Sequence, residues 1–371
     1  MMKNNRVVNR HYLRVLSVVG VGIGISMAHV SPAFAFSHEK IQQQIHEFTK
    51  PTPAADAKKE MKRSPYVKIT PLGSHAGEMC RRDRAILFED PDGTTLLYDV
   101  GQTVAGANDP RLPKKLNLVL ISSVHGDHQG SRRIPKPGAG TCAKPKASVK
   151  TVPNSNAVEI AVGKKSKILS AGQMRAYLRA RFINAGADKK TAKKSVKRLR
   201  PGGKMKFGGV TVAAIVTTHA NGISPSFILD KDLAKALKKS GLTAYAGPDS
   251  GFILKFSNGL TVYLSADTGH HSDMETIVRR YYKADIAIMN MSDVNTMGPE
   301  EAAWAVNELI KPKVTMPTHA NEESTKGGTL VPGSRAEKFV KGVDASIKVH
   351  LTLSGRTMEF DGNAACVKGC K

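Results

Sequence analysis

Four apolar runs in this chain each end in a short segment holding histidine or aspartate, and that recurrence limits the fold more than any other feature. Leu116 to Ile121, apolar apart from Asn117, runs into Ser123-Val124-His125-Gly126-Asp127-His128. Val210 to Val216 leads to Thr218-His219, and Thr261 to Leu264 leads to Ala266-Asp267-Thr268-Gly269. Lys313 to Met316 leads to Pro317-Thr318-His319. Short apolar runs of this kind read as buried strands. A sheet gathers the ends of its strands along one edge, so residues far apart in sequence become neighbours there.

Strand signals recur elsewhere. Val67 to Thr70, Ala85 to Phe88, Thr95 to Tyr98, Phe252 to Phe256 and Ile286 to Met289 share the same character. Asp90-Pro91-Asp92-Gly93 is a turn between two of them. Pro299 to Ile310 reads as a helix: Pro299 suits the first turn, and Ala302, Ala303, Val306, Leu309 and Ile310 form an apolar stripe. Many strands with helices between them predict an α/β protein, two sheets sandwiched by helices. The folded domain is expected over 66–361.

The residues at the strand ends have the chemistry of a transition-metal site. His125 and His128 are three apart with Asp127 between them, and Gly126 lets the backbone turn sharply. Imidazole suits Zn, Fe, Ni and Cu, and a carboxylate extends the range to Mn. His219 follows His128 by 91 residues, Asp267 follows by a further 48 and His319 by a further 52. One such residue after a strand is ordinarily a turn former or a surface side chain. Six of them at four strand ends predict a single metal centre.

Together with Thr296-Met297-Gly298-Pro299-Glu300-Glu301-Ala302, these segments resemble the metallo-β-lactamase superfamily. The similarity is to the branch of L-ascorbate-6-phosphate lactonase and the bacterial relatives of N-acylphosphatidylethanolamine phospholipase D. That branch shows H-x-H-x-D-H, a later lone His, G-D-T-G, T-M-G-P-E-x-A and P-x-H. Leu72-Gly73 and Leu97-Tyr98-Asp99-Val100-Gly101 resemble its opening strands, and the resemblance spans roughly Val67 to Phe360. It implies a four-layer αββα sandwich with the metal site on one edge.

The resemblance also implies roles. His125 and His219 would bind a first ion, Asp127, His128 and His319 a second, and Asp267 would bridge them. The expected cofactor is one or two Zn ions, with Mn or Fe as alternatives. A metal-activated hydroxide would attack a carbonyl or phosphoryl centre. Asp127 and His271 are the catalytic candidates, while His75, His270 and Asn321 are candidates for substrate contact. Asp293 is a lesser candidate, and Asp273 is expected to be a structural helix contact. The chain departs from the pattern at Ser123, where the family has its first His, and at Ala266, where it has Gly. Three outcomes follow from Ser123: a weaker first site, a one-ion enzyme using the second site, or a metal- or anion-binding protein without turnover.

The start of the chain reads as a cleavable leader over 1–35. Lys3, Arg6, Arg10 and Arg14 form a positive region, Val15 to Met27 is apolar or small, and Ala33-Phe34-Ala35 fits a cleavage site. No transmembrane segment is expected after its removal, and a polar arm and linker would occupy 36–65. The expected location is periplasmic or secreted. Four cysteines, Cys80, Cys142, Cys366 and Cys370, allow three pairings. The simplest joins Cys80 to Cys142, and Cys366 to Cys370 in a C-terminal tail at 362–371. A four-thiolate zinc site is the rival, though paired CxxC knuckles are lacking.

The formal net charge is +25, much of it local: 164–206 holds fifteen Lys or Arg against the single acid Asp188. Gln173 to Phe182 and Lys189 to Leu199 read as short helices within that span, a basic helical insertion ended by Pro201-Gly202-Gly203. Its charge suits a small-molecule or lipid-like anionic substrate, or simply keeps the protein soluble. Only Tyr177 and Phe182 could stack on bases there, so nucleic acid is not an expected partner. The sequence therefore predicts an exported metal-dependent hydrolase of an ester, lactone or phosphodiester.

Overall fold

The computed structural model describes residues 64–171 and 174–370. The leader and the arm up to residue 63 lie outside the described residues. Fifteen strands among the described residues build the two main sheets. In chain order they begin with β1 (Val67–Pro71), β2 (Ile86–Glu89), β3 (Thr95–Tyr98), β4 (Leu118–Ile121) and β5 (Lys167–Ala171). Next come β6 (Val196–Leu199), β7 (Lys204–Phe207), β8 (Val210–Val216), β9 (Ser250–Lys255) and β10 (Thr261–Leu264). The last are β11 (Ile286–Asn290), β12 (Val314–Thr318), β13 (Lys348–Val349), β14 (Met358–Phe360) and β15 (Cys366–Lys368). The first sheet has the order β15-β14-β1-β2-β3-β4-β5-β6 and the second β13-β12-β11-β10-β9-β8-β7.

Alternation of side chains along each strand divides the core into three. In β3, Leu96 and Tyr98 face the second sheet, where they join Leu120, Val212, Leu254 and Ile288. Leu97, between them, faces the other way, with Val119, Ile121 and Ile168. That outer face is covered by the helices α2 (Asn156–Gly163), α3 (Met174–Asn184) and α4 (Lys189–Ser195), through Val158, Leu178 and Ala192. The second sheet turns Ile215, Ile253 and Met289 outward. Its cover is α6 (Met274–Tyr282), α7 (Pro299–Trp304, continued by Ala305–Ile310) and α8 (Arg335–Gly342), through Val278, Val306 and Phe339. Two further helices are α1 (Gly126–Gln129) and α5 (Lys231–Lys239). The result is an αββα sandwich. Strands buried on both faces are continuous apolar runs, which is why the sequence shows them so plainly.

Two sequence readings change. The basic span is not an inserted helical pair. Its helices stand at about the expected places, but it also supplies β5 and β6, which extend the first sheet by parallel pairing, β5 with β4 and β6 with β5. Val196–Leu199, read as the end of a helix, is a strand. Lys197 and Arg198 are half-buried there while Val196 and Leu199 point into the core, so the charges masked the period. In the C-terminal tail, β15 pairs with β14 at the sheet edge.

Both expected disulfides are present, Cys80–Cys142 with Cα atoms 4.8 Å apart, and Cys366–Cys370. No helix among the described residues is long and apolar enough to cross a membrane.

Candidate metal centre

The sheets bring all four sequence segments to one edge. β4 and β8 end just before the Ser123 to His128 and Thr218-His219 segments, and β10 and β12 end just before Asp267 and His319. Their loops are stitched to one another. Asn221 Oδ1 accepts from the Val124 amide at 3.1 Å, and Thr218 Oγ1 accepts from the Gly269 amide at 2.8 Å. Ala266 and His319 have φ of 55° each, the left-handed region. Such a reversal directly after a strand is one that Gly adopts without strain.

One cluster contains Asp127, His128, Asp267 and His319, with donor atoms within 4.8 Å of one another. His128 is fully buried, with Nε2 3.0 Å from Asp267 Oδ2 and Nδ1 2.8 Å from Asp99 Oδ2. Asp99 is fixed in turn by the Ser122 amide at 2.9 Å and the Ser122 hydroxyl at 2.6 Å. Asn290 Nδ2 donates to Asp267 Oδ1 at 2.8 Å. His319 Nε2 lies 3.3 Å from Asp127 Oδ2 and 3.5 Å from Asp267 Oδ1. Neither ring nitrogen of His319 makes a hydrogen bond of sound geometry. Arg84 Nη2 reaches Asp127 Oδ2 at 3.3 Å and Asn321 Oδ1 at 3.0 Å.

A second cluster contains His125, His219 and Asp249, its donors again within 4.8 Å of one another. His219 Nε2 is 3.4 Å from His125 Nδ1 and 3.8 Å from Asp267 Oδ2, so Asp267 stands between the two groups. Ser123 is buried and its hydroxyl accepts from the His125 amide at 3.1 Å.

The charges are strongly coupled. Burial opposes ionisation of Asp127, but Arg84, then His128 and His319, outweigh it and hold its carboxyl well below the usual range. Burial likewise opposes ionisation of Asp267, and His319 and His128 reverse it. Burial disfavours a charged His128, yet Asp267, Asp99 and Asp127 raise its pKa well above the ordinary value. Burial, then the neighbouring His128 and His219, lowers the pKa of His125. Asp249 is raised to about 8, chiefly by burial. Its two oxygens lack a hydrogen bond of sound geometry, although the Ser123 side chain favours the charged form.

The donor set fits divalent transition metals: imidazoles and carboxylates converge, and the buried nitrogens of His319 have no other partner. Other sequence candidates fall outside these clusters. His75 Nε2 pairs with the Gly140 carbonyl at 3.2 Å, and His270 packs edge-on against Trp304 at 5.5 Å. His271 is lowered by burial and its Nε2 has no hydrogen bond. Asp293 pairs with Arg335 at 3.1 Å. Asn321 Oδ1 accepts from Arg84 Nη2. Sequence reading passed over Arg84, Ser122, Asn290 and Asp249, and it took Asp99 only as part of a strand motif. The position of Asp99 directly after β3 is the one signal that could have found it.

Four layers with a His and Asp cluster at one sheet edge define a metal-dependent hydrolase of the metallo-β-lactamase fold. Residues 83–319 match the model of the Beta-lactamase superfamily domain, and the chain belongs to that family. It is 28% identical over 270 residues to a UPF0173 metal-dependent hydrolase of Koribacter versatilis, covering 72% of this chain and 91% of the relative. A UPF0173 metal-dependent hydrolase of Pelotomaculum thermopropionicum is 28% identical over 296 residues, covering 79% and 100%. Among solved structures, Igni18, a metallo hydrolase from Ignicoccus hospitalis, aligns with a TM-score of 0.49 and 20% identity, covering 80% of this chain and 99% of that one.

Proposed function

We propose that this chain is an exported hydrolase of anionic esters, lactones or phosphodiesters, of small-molecule or lipid-like type. The observation that carries the reading is the convergence of Asp127, His128, Asp267 and His319 on one point. His128, Asp127 and His319 would hold one ion, with Asp267 shared towards His125 and His219. A bound divalent metal of the Zn, Mn or Fe kind supplies Lewis acidity and makes water acidic enough to react near neutral pH.

The chain's own groups then have separate tasks. Asp99 accepts from Nδ1 of His128 and so turns Nε2 towards the cluster, an orientation that Ser122 locks. Asn290 donates to Oδ1 of Asp267, on the His319 side, and leaves Oδ2 facing His128 and His219. The Asp127 side chain is 40% exposed, so its carboxylate can reach and orient attacking water. Arg84 anchors that carboxylate from behind.

Export is supported by the basic and apolar pattern of 1–35 and by the two disulfides. A binding protein without turnover is the second reading, and Ser123 is the feature that favours it.

The test is metal analysis of the purified protein beside assays on chromogenic carboxylic esters, a lactone and a bis-aryl phosphodiester. The expected result is at least one ion per chain, turnover of one class, and loss of both in an Asp267→Ala/His319→Ala double variant. A protein that holds no ion would sink the proposal, and ions without turnover would favour the second reading.

A further inference from the structure

Ser123 removes an imidazole from the first ligand group, and a buried carboxylate stands where a ligand is missing. Asp249 immediately precedes β9. The amide of Ser250 donates to the Ser122 carbonyl at 3.3 Å, which ties the start of β9 to the end of β4 across the sandwich. Ser250 also pairs with Val216, the last residue of β8, the strand that leads to His219. Asp249 is thus placed where the loops carrying Ser123 and His219 meet.

The surroundings of Asp249 are unusual for an acid. It is 0% exposed, and neither of its oxygens has a hydrogen bond of sound geometry among the described residues. The strong ion pairs of the site belong to other residues: Arg84 is taken by Asp127, and His128 by Asp99 and Asp267. Ser123 alone favours its charged form by a hydrogen bond, and a buried carboxylate so weakly held is costly to retain unless something cationic meets it. The groups beside it are His125 and His219, two imidazoles with ring centroids 5.2 Å apart. One donor atom from each of the three lies within 4.8 Å of the others. Donors around one tetrahedral ion with bonds of about 2 Å stand about 3.4 Å apart, so side-chain shifts of about 1 Å would bring all three onto one.

We propose that Asp249 is a direct ligand of a first divalent ion, together with His125 and His219 and beside Asp267, and that it replaces the imidazole lost at Ser123. The inference rests on the proposed metal-dependent reading. Ser123 is then a consequence of the substitution: its small side chain leaves room for the carboxylate, and its hydroxyl caps the loop through the His125 amide. Exchanging imidazole for carboxylate also moves the first site towards harder ions, Mn(II) or Fe(II), relative to a site of imidazoles alone.

The experiment is a Co(II) titration of metal-free protein, read by bound metal per chain after desalting and by the visible absorption of the ion. The wild type is expected to bind two ions. Asp249→Ala and the nearly isosteric Asp249→Asn should each bind one ion tightly, with first-site affinity down more than about 100-fold. Loss of an outer partner already costs 10–100-fold, and a direct ligand counts for more. Circular dichroism of the Asn variant reports whether the fold persists. Ser123→His/Asp249→Ala should recover the second equivalent, because it rebuilds the ligand in its other position. Two ions of undiminished affinity in both Asp249 variants would overturn the proposal. So would one ion in the wild type unaffected by either variant, while the second ligand group would stand. A wild type that binds no ion overturns this inference and the metal-dependent reading together.

Discussion

His128 is the residue on which the site turns. It is buried between Asp99 and Asp267, with Asp127 3.8 Å away. Burial alone would lower its pKa, but the three carboxylates raise it well above 6.5. A histidine of that kind stabilises the metal-free fold fully below about pH 6.5, and the contribution is lost as pH rises through its folded pKa. Coordination needs the neutral ring, so ion uptake must expel this proton. Metal-free protein should therefore lose stability above pH 6.5. Ion affinity should instead climb about tenfold per pH unit for as long as the proton stays on. Chelator-competition titrations at pH 6, 7 and 8 read the second slope, and a flat response would mean that His128 is already neutral.

The ligand-type residues were legible because imidazole and carboxylate directly after an apolar run are distinctive. Their supports were not. Asn290 reaches Asp267 across 23 residues and Arg84 reaches Asn321 across 237, and only the fold makes those pairs. Asp249 had no local mark, since an acid before a strand is ordinary turn chemistry.

Among the elements, α1 has the narrowest tolerance. It is a single turn, yet it carries Asp127 and His128. Gly130 ends it with φ 74° and donates its amide to the Gly126 carbonyl. A Cβ there would lie 2.2 Å from the Gly101 carbonyl oxygen and 2.7 Å from Asn156 Cβ, with no flexible chain end to yield. Gly130→Ala should cost more than about 1 kcal/mol from backbone conformation alone, with the clash in addition. The displaced turn should also reduce bound metal per chain. Thermal unfolding with and without added ion separates the two effects: an intact metal complement with lowered stability would confine the damage to the fold.

Legibility of elements followed burial. β3, β4 and β10 are buried throughout and read directly as strands. β6 sets two adjacent charges, Lys197 and Arg198, between its core residues, and β15 is a three-residue edge strand, so periodicity could not find them.

At the scale of the whole molecule the question is what a net charge of +25 does. The most basic span is built into the edge of the first sheet, and it touches the site. The Tyr177 hydroxyl of α3 donates to Gln129 Oε1 at 3.3 Å, and Gln129 is the neighbour of His128. On α4, Lys189, Lys190, Lys193 and Lys194 are all exposed, and the helix-capping Asp188 is the single acid in the sequence from 164 to 206. Clustered charge of one sign near a cleft raises the local concentration of opposite charge, and salt screens it over about 10 Å at 0.1 M. An anionic substrate should therefore show a KM that rises roughly threefold between 50 and 300 mM NaCl, while a neutral analogue keeps its KM. Changing the four lysines to Glu should raise KM for the anionic substrate at low salt and leave kcat nearly unchanged, because none of them reaches the ligand clusters. If both substrates respond alike to salt and to the variant, the charge serves solubility, and the substrate preference must come from the loops around Asp127 and His219.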